Sequence, residues 1–416
     1  MAKSHIESLH VKNVRQFQDL KVNFNQGFNF LAGPNGCGKT SVLACISHCF
    51  HHANFAYSRF EDESEFWTDL NDNGVLYRVG LGKGSINGGS YRQSSGKQWK
   101  KPPGEANRKS LTVTEVKQEL RSFCPLFIGA NRSIKYRQIS GMSREQTLDQ
   151  KIDTYTSNST KSLYGDWNSD IKQWLVNRYF MIDKEWAVEE KENWEHLVNS
   201  LPSIGPFDSK FSFIRIGKDL EPVFSIYGNE CYLEELSSGF QAVLSIIANI
   251  FEWVEGSRED GDRIVKSAAG TVLIDELDLH LHPEWQFSIR KSLETVFPSI
   301  QFIVTTHSPH LLSSANKNEV IIMPENGSDK YDLSPSKSMY SGWNTDQILS
   351  EIMGVKSLDN KTYEEYVAIA LEKVESNSVP ELKLAISNLE KICHPNDSII
   401  TVLKARLASM VALQDD

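Results

Sequence analysis

The first 50 residues alternate between hydrophobic and polar positions and then change period. Residues 6–11 and 20–24 alternate apolar and polar side chains, as half-buried strands do, and residues 28–31 form a third short apolar run. A glycine-rich turn follows this run, and the spacing from Lys39 to Phe50 predicts a helix. The chain is therefore expected to begin with a sheet edge, followed by a strand, a turn and a helix.

The second half of the chain carries the pattern of a parallel sheet. Residues 271–274 and 301–305 are short continuous apolar runs, which are typical of strands buried on both faces. Residues 239–255 and 283–297 are predicted helices, the second with a proline in its first turn. Because strand and helix follow each other in this order, the sequence predicts a doubly wound α/β core.

The remaining segments divide the chain into four parts. Residues 126–128 are a further core strand, residues 84–104 a mobile loop and residues 159–201 helical. After Pro309 we expect only helices, namely 344–353, 362–376, 380–392 and 397–412. The proposed division is an N-terminal ATPase part (1–139), an inserted helical lobe (140–206), a second ATPase part (207–338) and a helical C-terminal partner-binding region (339–416).

Composition is that of a globular protein without a membrane partner. The 416 residues are 40% hydrophobic and carry a net charge of −10. The longest apolar run, residues 243–254, contains Asn249 and Glu252 and is too short to cross a bilayer, and no signal-peptide segment is seen. The six cysteines form no Cys-x-x-Cys pair, so neither disulfides nor zinc are indicated. We expect a cytoplasmic protein.

The glycine-rich turn has the chemistry of a phosphate-binding loop. It reads Gly33-Pro34-Asn35-Gly36-Cys37-Gly38-Lys39-Thr40, which matches G-x-x-x-x-G-K-[ST] between a strand and a helix. Backbone N–H groups of such a loop wrap phosphates, the lysine reaches the β- and γ-phosphates, and the Thr hydroxyl binds Mg²⁺. We predict that ATP is bound by Asn35, Gly36, Cys37, Gly38, Lys39, Thr40 and Ser41.

Two carboxylates follow the first buried strand of the second half. Asp275 ends the run 271–274, and Glu276 comes directly after it. A carboxylate at this point is suited to hold Mg²⁺, and the next one to act on an attacking water. We predict Asp275 as a metal ligand together with Thr40, and Glu276 as a catalytic residue.

A short hydroxyl and glycine motif opens the apolar helix. Leu236-Ser237-Ser238-Gly239 lies before the Asp275-Glu276 strand and resembles the ABC signature. The N-terminus of a helix led by small residues is an anion site, and Ser237, Ser238 and Gly239 are predicted to bind the γ-phosphate held by the opposite subunit. The triplet by itself is also an ordinary helix cap, so the order of the motifs carries this prediction.

Three histidines and an aspartate accompany the strand ends. His307, which follows residues 301–305, matches the switch histidine of the same superfamily, and Asp278 falls where that superfamily has its dimer-contact loop. His307 is therefore predicted to be catalytic with Lys39 and Glu276, and Asp278 to lie at the nucleotide. For His280 and His282 we favour structural and phosphate-side roles over a metal site.

Taken together, these residues resemble the RecF/SMC-like ABC ATPases, and within them the overcoming-lysogenization-defect group and the Septu PtuA-type ATPases of bacterial phage defence. The resemblance covers about residues 6–309 and is carried by residues 11–17, 33–36, 275–283 and 306–309. It implies an α/β ABC-type P-loop ATPase head with an inserted helical lobe and a helical C-terminal region, using ATP and Mg²⁺. It also implies that Arg15 lies near the nucleotide.

The sequence departs from the family pattern at two places. Phe240 directly follows Gly239 of the signature, where relatives have a polar residue, and this change alters the contact expected across the dimer. The Gln-loop, whose glutamine joins the metal ligands, is assigned to Gln138, and Gln16 stays open as an alternative.

The resemblance implies an ATP-hydrolysing regulatory subunit of an anti-phage complex that dimerises head to tail around ATP. Because the tail lacks the acidic set of a Toprim nuclease, cleavage is expected from a separate nuclease of the HNH type docked on the helices after Tyr340. Larger homo-oligomers and contacts with DNA or RNA stay open. An ABC transport ATPase is disfavoured by the wide spacing between phosphate loop and signature.

The alternative is a RecF-like DNA-repair ATPase that clamps duplex DNA. Residues 82–121 contain nine Lys or Arg against three Glu, and Arg132, Lys135 and Arg137 follow. Such a basic stretch suits a phosphate backbone, although a solvated loop explains it equally well in a chain of this net charge.

Overall fold

A computed structural model describes residues 4–206, 208–325, 329–356, 360–394 and 397–412. The strands are β1 (His5–Val14), β2 (Phe17–Asn23), β3 (Phe28–Ala32), β4 (Phe60–Asp72), β5 (Val75–Leu81), β6 (Ile86–Asn87), β7 (Ser95–Gly96), β8 (Lys109–Thr112), β9 (Leu126–Ile128), β10 (Ser212–Ile216), β11 (Pro222–Ile226), β12 (Asn229–Tyr232), β13 (Gly270–Ile274), β14 (Ile300–Thr305), β15 (Val320–Ile322) and β16 (Lys330–Leu333).

The helices range from 4 to 19 residues. They are α1 (Lys39–His48), α2 (Val116–Glu119), α3 (Leu148–Ser157), α4 (Ser159–Leu163), α5 (Ile171–Met181), α6 (Val188–Ile204), α7 (Ser238–Gly256), α8 (Pro283–Val296), α9 (Pro309–Ser313), α10 (Thr345–Glu351), α11 (Lys361–Glu375), α12 (Val379–Glu390) and α13 (Ser398–Ala412). Helices α1, α7, α8 and α10 to α13 begin and end within a few residues of the predicted bounds, whereas α2, α3 and α9 were not predicted. Short 3-10 turns cover His52–Tyr57 and Leu233–Glu235.

The centre of the fold is a five-stranded sheet in the order β15-β3-β14-β13-β9, and all of its pairings are parallel. Every residue of β3, β13 and β14 is buried, as expected for strands covered on both faces. The predicted doubly wound α/β core is therefore confirmed. Since parallel strands end at the same edge, the loops after β3, β13 and β14 meet there.

Alternate side chains of these strands pack into two different hydrophobic cores. Phe30, Val272 and Val304 face a core that includes α7, α8 and the helices α5 and α6. Leu31 and Ile303 face a second core that includes α1 and the six-stranded sheet. This period of two is what places one helical layer and one sheet layer on opposite faces of the parallel sheet.

The second sheet has the order β16-β2-β1-β4-β5-β8. The pairs from β2 to β5 are antiparallel, which confirms the hairpin predicted for the first 24 residues, while β16 and β8 join the edges in parallel. Smaller sheets are formed by β10-β11-β12 and by β6-β7. The last pair lies inside the segment predicted as a loop, residues 84–104.

The prediction that only helices follow Pro309 is wrong. β15 pairs with β3 in the central sheet, and β16 pairs with β2 in the other sheet. Both strands are only three or four residues long, which is too short for a periodicity signal against the polar residues around them. The chain after the switch histidine thus completes the edges of both sheets.

The chain forms two compact units, residues 1–354 and residues 355–416. The helices of residues 140–206 belong to the first unit, where Trp174 and Trp194 share a core with α7. In the second unit, α11, α12 and α13 pack around Ala370, Leu382 and Leu403. The four-part division stays a prediction, and its boundary at residue 207 lies outside the described residues.

One buried glutamine ties the two large sheets together. The Gln301 amide donates from Nε2 to the Ile6 carbonyl at 2.7 Å and to the Asn25 carbonyl at 2.6 Å. Its Oε1 accepts from the Ile6 N–H at 2.9 Å and from the Thr271 hydroxyl at 2.7 Å. All four of its hydrogen-bonding positions are therefore used.

Among the described residues, no helix is long and apolar enough to span a bilayer.

We predict that Gln301→Leu lowers the free energy of unfolding by about 3–5 kcal/mol, because it leaves several buried polar partners unpaired. Chemical denaturation followed by circular dichroism measures this loss. The matched control is Gln118→Leu at an exposed position, where a change within about 0.5 kcal/mol is expected. A loss at Gln301 no larger than at Gln118 would contradict this account of the sheet junction.

Candidate functional site

The phosphate loop lies between β3 and α1, at the carboxyl edge of the parallel sheet. Gly33, Gly36 and Gly38 have φ values of 147°, 81° and 100°, which side-chain-bearing residues rarely adopt. A Cβ on Gly38 would lie 2.1 Å from the Gln16 side-chain nitrogen, so this glycine also allows a close approach of β2. Asn35 and Gly36 are exposed and Cys37 is buried. The loop has the open backbone that phosphate binding requires.

Lys39 is the first residue of α1, and its ammonium group turns back into the loop. Nζ donates to the Gly33 carbonyl at 2.8 Å and to the Pro34 carbonyl at 3.0 Å. Burial lowers the pKa of Lys39 below its usual range. The cation is therefore held where a bound polyphosphate is expected, and an anion there would relieve the desolvation of the ammonium group.

Thr40 and Asp275 come together although 235 positions separate them. The Thr40 hydroxyl lies 2.9 Å and 3.0 Å from the two Asp275 carboxylate oxygens. The Thr305 hydroxyl, at the end of β14, donates to Asp275 Oδ1 at 2.6 Å. Hydroxyl and carboxylate oxygens are the donors that Mg²⁺ prefers, so this set fits the predicted metal.

Glu276 is fixed through its backbone. Its φ is +50°, an uncommon left-handed conformation for a residue with a side chain, and its N–H donates to the Thr305 hydroxyl at 2.7 Å. Arg132 Nη2 donates to the carbonyls of both Asp275 and Glu276, the latter at 2.8 Å. The general-base candidate is thus aimed by contacts with β14 and with the loop after β9.

Arg132 belongs to the site, although the sequence did not indicate it. We predicted it as part of a nucleic-acid surface, but its side chain is buried, and burial lowers the pKa of its guanidinium to about 10. The signal that identifies it is its position four residues after the last residue of a buried strand, since β9 is the neighbour of β13. In a parallel sheet such loops meet at one edge.

Asp278 links the two loops after β13 and β14. Its Oδ1 accepts a hydrogen bond from the Thr306 hydroxyl at 2.6 Å and from the His307 N–H at 3.2 Å. The His307 ring is exposed at this edge. Partial burial and the nearby Lys39 ammonium group lower the pKa of His307 from its usual value of 6.5. A lowered pKa favours the neutral imidazole, which can donate from one ring nitrogen and accept at the other.

Arg15 reaches the start of α1 from the turn between β1 and β2. Its guanidinium donates to the Ser41 hydroxyl at 3.1 Å, to the Ser58 hydroxyl at 2.6 Å and to the Tyr57 carbonyl at 2.8 Å. It also donates to the Tyr164 hydroxyl, and the Tyr164 ring stacks on Tyr57. Ser41 in turn donates to Gln16 at 3.2 Å. Arg15 and Gln16 therefore lie beside the phosphate loop.

The signature segment lies at the N-terminus of α7. Ser237 and Ser238 are exposed, and the Ser237 side chain makes no capping hydrogen bond to the helix. The described hydrogen bonds of these two serines do not include the Thr40–Asp275 group. An exposed helix N-terminus with free hydroxyl groups is suited to bind an anion.

Phe240 departs from the family pattern for a structural reason. Its ring is buried, with centroids 5.0 Å from those of Phe211 and Trp285. The next residue, Gln241, is bound within its own chain: its amide donates to the Leu236 carbonyl at 2.9 Å and accepts from the Ile134 N–H at 3.0 Å. Phe240 anchors α7 in the core, and Gln241 fixes the loop that presents the serines.

The sequence predicted Gln138 as a metal ligand and a structural or phosphate-side role for His282. Gln138 is exposed in the segment between β9 and α3, and its assignment as a metal ligand stays a prediction. His282 caps α8 by accepting from the Glu284 N–H at 3.4 Å, in line with a structural role. Within the described ranges, no group of three or more His, Cys, Asp or Glu side chains is placed to hold a metal ion.

The basic segment 82–121 is largely neutralised by carboxylates. The ion pairs are Lys83–Glu63, Lys101–Glu115, Arg108–Glu7, Lys109–Glu119, Lys117–Asp153 and Arg121–Asp149. Four of these carboxylates come from outside the segment, which the local count of charges could not show. The positive potential expected from the sequence is therefore much reduced.

A phosphate loop after β3, two carboxylates after β13 and a histidine after β14 define a P-loop ATPase with an ABC-type head. A family model described as "AAA domain, putative AbiEii toxin, Type IV TA system" matches residues 28–313, well over half of the chain. The chain belongs to this family.

Relatives extend the match beyond the family model. The chain is 28% identical over 416 residues to "Septu protein PtuA" of Bacillus thuringiensis, covering 97% of this chain and 98% of that one. It is 29% identical over 200 residues to "Retron Vc95 probable ATPase" of Vibrio cholerae, covering 47% of this chain and 35% of that one. A solved SMC head bound to the C-winged helix domain of ScpA superposes with a TM-score of 0.48 at 16% identity, covering 80% of this chain and 98% of that chain.

We predict that the His307 pKa lies below 6.5 and rises in Lys39→Ala, because removing a nearby cation stabilises the imidazolium form. A pH titration of the His307 ring resonance by NMR measures both values. Lys317→Ala, which removes an exposed lysine elsewhere, is expected to leave the value unchanged. An unchanged His307 pKa in Lys39→Ala would contradict the proximity of the two groups.

Proposed function

We propose that this chain is the ATP-hydrolysing regulatory subunit of a bacterial anti-phage defence complex. Two copies dimerise head to tail around ATP, and the nucleotide state controls a separate effector nuclease of the HNH type. The observation that carries the proposal is the cluster of Lys39, Thr40, Asp275 and Glu276 at one sheet edge, with the exposed serines of α7 outside it. The similarity to "Septu protein PtuA" over almost the whole chain supports the defence context.

Each residue of the cluster has a distinct role in this proposal. Lys39 binds the β- and γ-phosphates, with Asn35, Gly36, Cys37, Gly38 and Ser41 lining the loop. Thr40 and Asp275 hold Mg²⁺, which supplies charge neutralisation for phosphoryl transfer. Glu276 orients a water molecule and accepts its proton, and His307 donates a hydrogen bond to the γ-phosphate.

Dimerisation follows from the exposed N-terminus of α7. A helix N-terminus carries a partial positive charge and unpaired N–H groups, and Ser237 adds a hydroxyl that the helix itself does not use. In the proposed dimer, Ser237, Ser238 and Gly239 of one subunit bind the γ-phosphate held by Lys39 of the other. ATP then bridges the subunits, and its hydrolysis weakens the bridge.

The second compact unit is proposed as the docking region for the effector. Its helices keep large apolar side chains in solvent: Ile369 is 46% exposed, Leu384 64% and Val402 61%. Exposed apolar side chains of this kind would be covered by a partner that packs on these helices. Residues 339–416 therefore remain our candidate for the partner contact.

The alternative of a duplex clamp of the RecF type is weaker. Its basic segment is paired with carboxylates, and Arg132 is buried and bound to backbone carbonyls. Arg137 is paired with Asp170 as well. Six of the nine cations of segment 82–121 are paired with carboxylates, which reduces the positive charge offered to a phosphate backbone, and no described feature specifically favours this function.

The nucleotide roles predict opposite behaviour for two variants. Glu276→Gln is expected to bind Mg-ATP, form a stable dimer and hydrolyse ATP about 10²-fold to 10⁴-fold more slowly, because binding is kept while the general base is lost. Lys39→Ala is expected to lose both ATP binding and the mass shift. Light scattering with and without Mg-ATP, together with a phosphate-release assay, measures these effects. Unchanged hydrolysis in Glu276→Gln would overturn the assignment of the base.

A mixing experiment tests whether the sites are shared between subunits. Lys39→Ala and Ser237→Arg are each expected to be inactive alone, since each lacks one half of both sites. An equimolar mixture contains heterodimers with one intact site, so about a quarter of the wild-type sites should return. Absence of recovery, with subunit exchange shown by mass, would contradict the head-to-tail arrangement.

The defence role is tested in the native host. Deletion of the gene is expected to raise phage plating, and plating should return to its low value with the wild-type protein but not with Lys39→Ala. Tagged Glu276→Gln protein is expected to co-purify with a metal-dependent nuclease, and a chain ending at residue 354 serves as the control that lacks the second unit. Unchanged plating and no co-purifying nuclease would remove the support for this function.

A further inference from the structure

A cavity of about 350 Å³ lies beside the loop that follows β9. Its walls come from residues 127–137, from the segment before and at the start of α5, and from Ser245 and Asn249 of α7. No residue of the phosphate loop and neither Asp275 nor Glu276 lines it. Its volume is at the lower end of the range typical of small-molecule sites.

Positive charge dominates the lining of this cavity. Arg132, Lys135, Arg137 and Lys172 line it, against the single carboxylate of Asp170. Arg137 is paired with Asp170, and Lys172 with Glu221 at 2.5 Å and Glu234 at 2.8 Å. Within the described part of the chain Lys135 makes no ion pair, so it and Arg132 supply the charge that is left for a ligand.

Arg132 presents a buried donor that has no partner. Its Nε donates to the Gly129 carbonyl at 3.0 Å and its Nη2 to the two carbonyls after β13. Its Nη1 is buried and has no hydrogen-bond partner among the described residues. The whole residue is only 3% exposed and is part of the cavity wall, so a ligand bound in the cavity is a candidate for the missing acceptor. Leaving a charged donor buried and unpaired costs free energy, and a bound anion would recover part of that cost.

The rest of the lining suits a small molecule larger than a bare ion. The Asn249 amide donates to the Ser245 carbonyl at 2.7 Å and accepts from the Ser169 hydroxyl. The rings of Tyr136 and Trp167 also line the cavity and offer planar surfaces for stacking. Polar groups and rings around a cationic centre are typical of sites for phosphorylated compounds.

We propose that this cavity binds a phosphate group of a small molecule through Arg132 and Lys135, and that its occupancy tunes ATP hydrolysis. The link is Arg132, which lines the cavity and whose Nη2 donates to the backbone carbonyls of Asp275 and Glu276. A ligand that accepts a hydrogen bond from Nη1 shifts the plane of the guanidinium. The two backbone carbonyls bound by Nη2 shift with it, and so does the side chain of Glu276. This regulatory part rests on the proposed role of Glu276, whereas the binding part does not.

The binding part is tested with Glu276→Gln protein saturated with Mg-ATP, so that the phosphate loop is filled. Equilibrium dialysis with labelled inorganic phosphate, and separately with labelled CMP, is expected to show one further site per chain. Ser245→Leu fills the cavity while keeping the backbone carbonyl that Asn249 uses, and Lys135→Ala removes the free cation at its rim. Lys135→Ala should weaken binding about tenfold, the loss expected for one charged hydrogen bond, and Ser245→Leu should weaken it by at least as much because its side chain occupies part of the ligand's space.

Lys97→Ala is the matched control, because Lys97 is exposed and does not line the cavity. Tighter binding of CMP than of phosphate identifies a nucleotide-like ligand, and equal affinities identify the free anion; both support the site. Binding that is absent, or equal in Ser245→Leu, Lys135→Ala and Lys97→Ala, overturns it.

The regulatory part is measured with the wild-type protein, whose hydrolysis rate should change at saturating CMP or phosphate while that of Ser245→Leu does not. A bound ligand that leaves the wild-type rate unchanged overturns regulation and keeps the site. A wild-type protein that binds the ligand and hydrolyses no ATP in its absence contradicts the proposed function and leaves the cavity assignment standing.

Discussion

The parallel sheet must be covered on both faces, and the rest of the molecule depends on this constraint. Its strands have no polar face, so alternate side chains such as Phe30 and Leu31 require two separate cores. One face is covered by α7, α8 and the helices α3, α5 and α6, the other by α1 and a second sheet. The carboxyl edge is the place where polar groups can gather, and the phosphate loop, Asp275 and His307 are found there.

The features read correctly from the sequence are those with dense local signals. Continuous apolar runs identified β13 and β14, and the spacing of glycines and Lys39 identified the phosphate loop. A motif of this kind fixes its own backbone geometry, so the neighbourhood of Thr40 needs little from the rest of the fold. The meeting of Thr40 with Asp275 followed once the strands were known to be parallel.

The features missed depend on contacts between distant parts of the chain. β15 and β16 are short edge strands whose pairing partners, rather than their sequence, make them strands. The local charge count of segment 82–121 left two interpretations open, because its neutralising partners, such as Glu7 and Asp153, come from elsewhere in the chain. Arg132 reads as one more surface cation until the fold places it behind the carboxylate loop.

The left-handed backbone at Glu276 has a consequence for how such a site can change over time. Any residue with a side chain stores about 1–3 kcal/mol of strain in this conformation, and glycine would relieve it. At this position the stability of the protein and the presence of the carboxylate conflict. A substitution by glycine relaxes the loop but removes the carboxylate. A lineage that no longer needed turnover, and kept ATP only as a bridge between subunits, would be free to lose the glutamate and become the more stable protein.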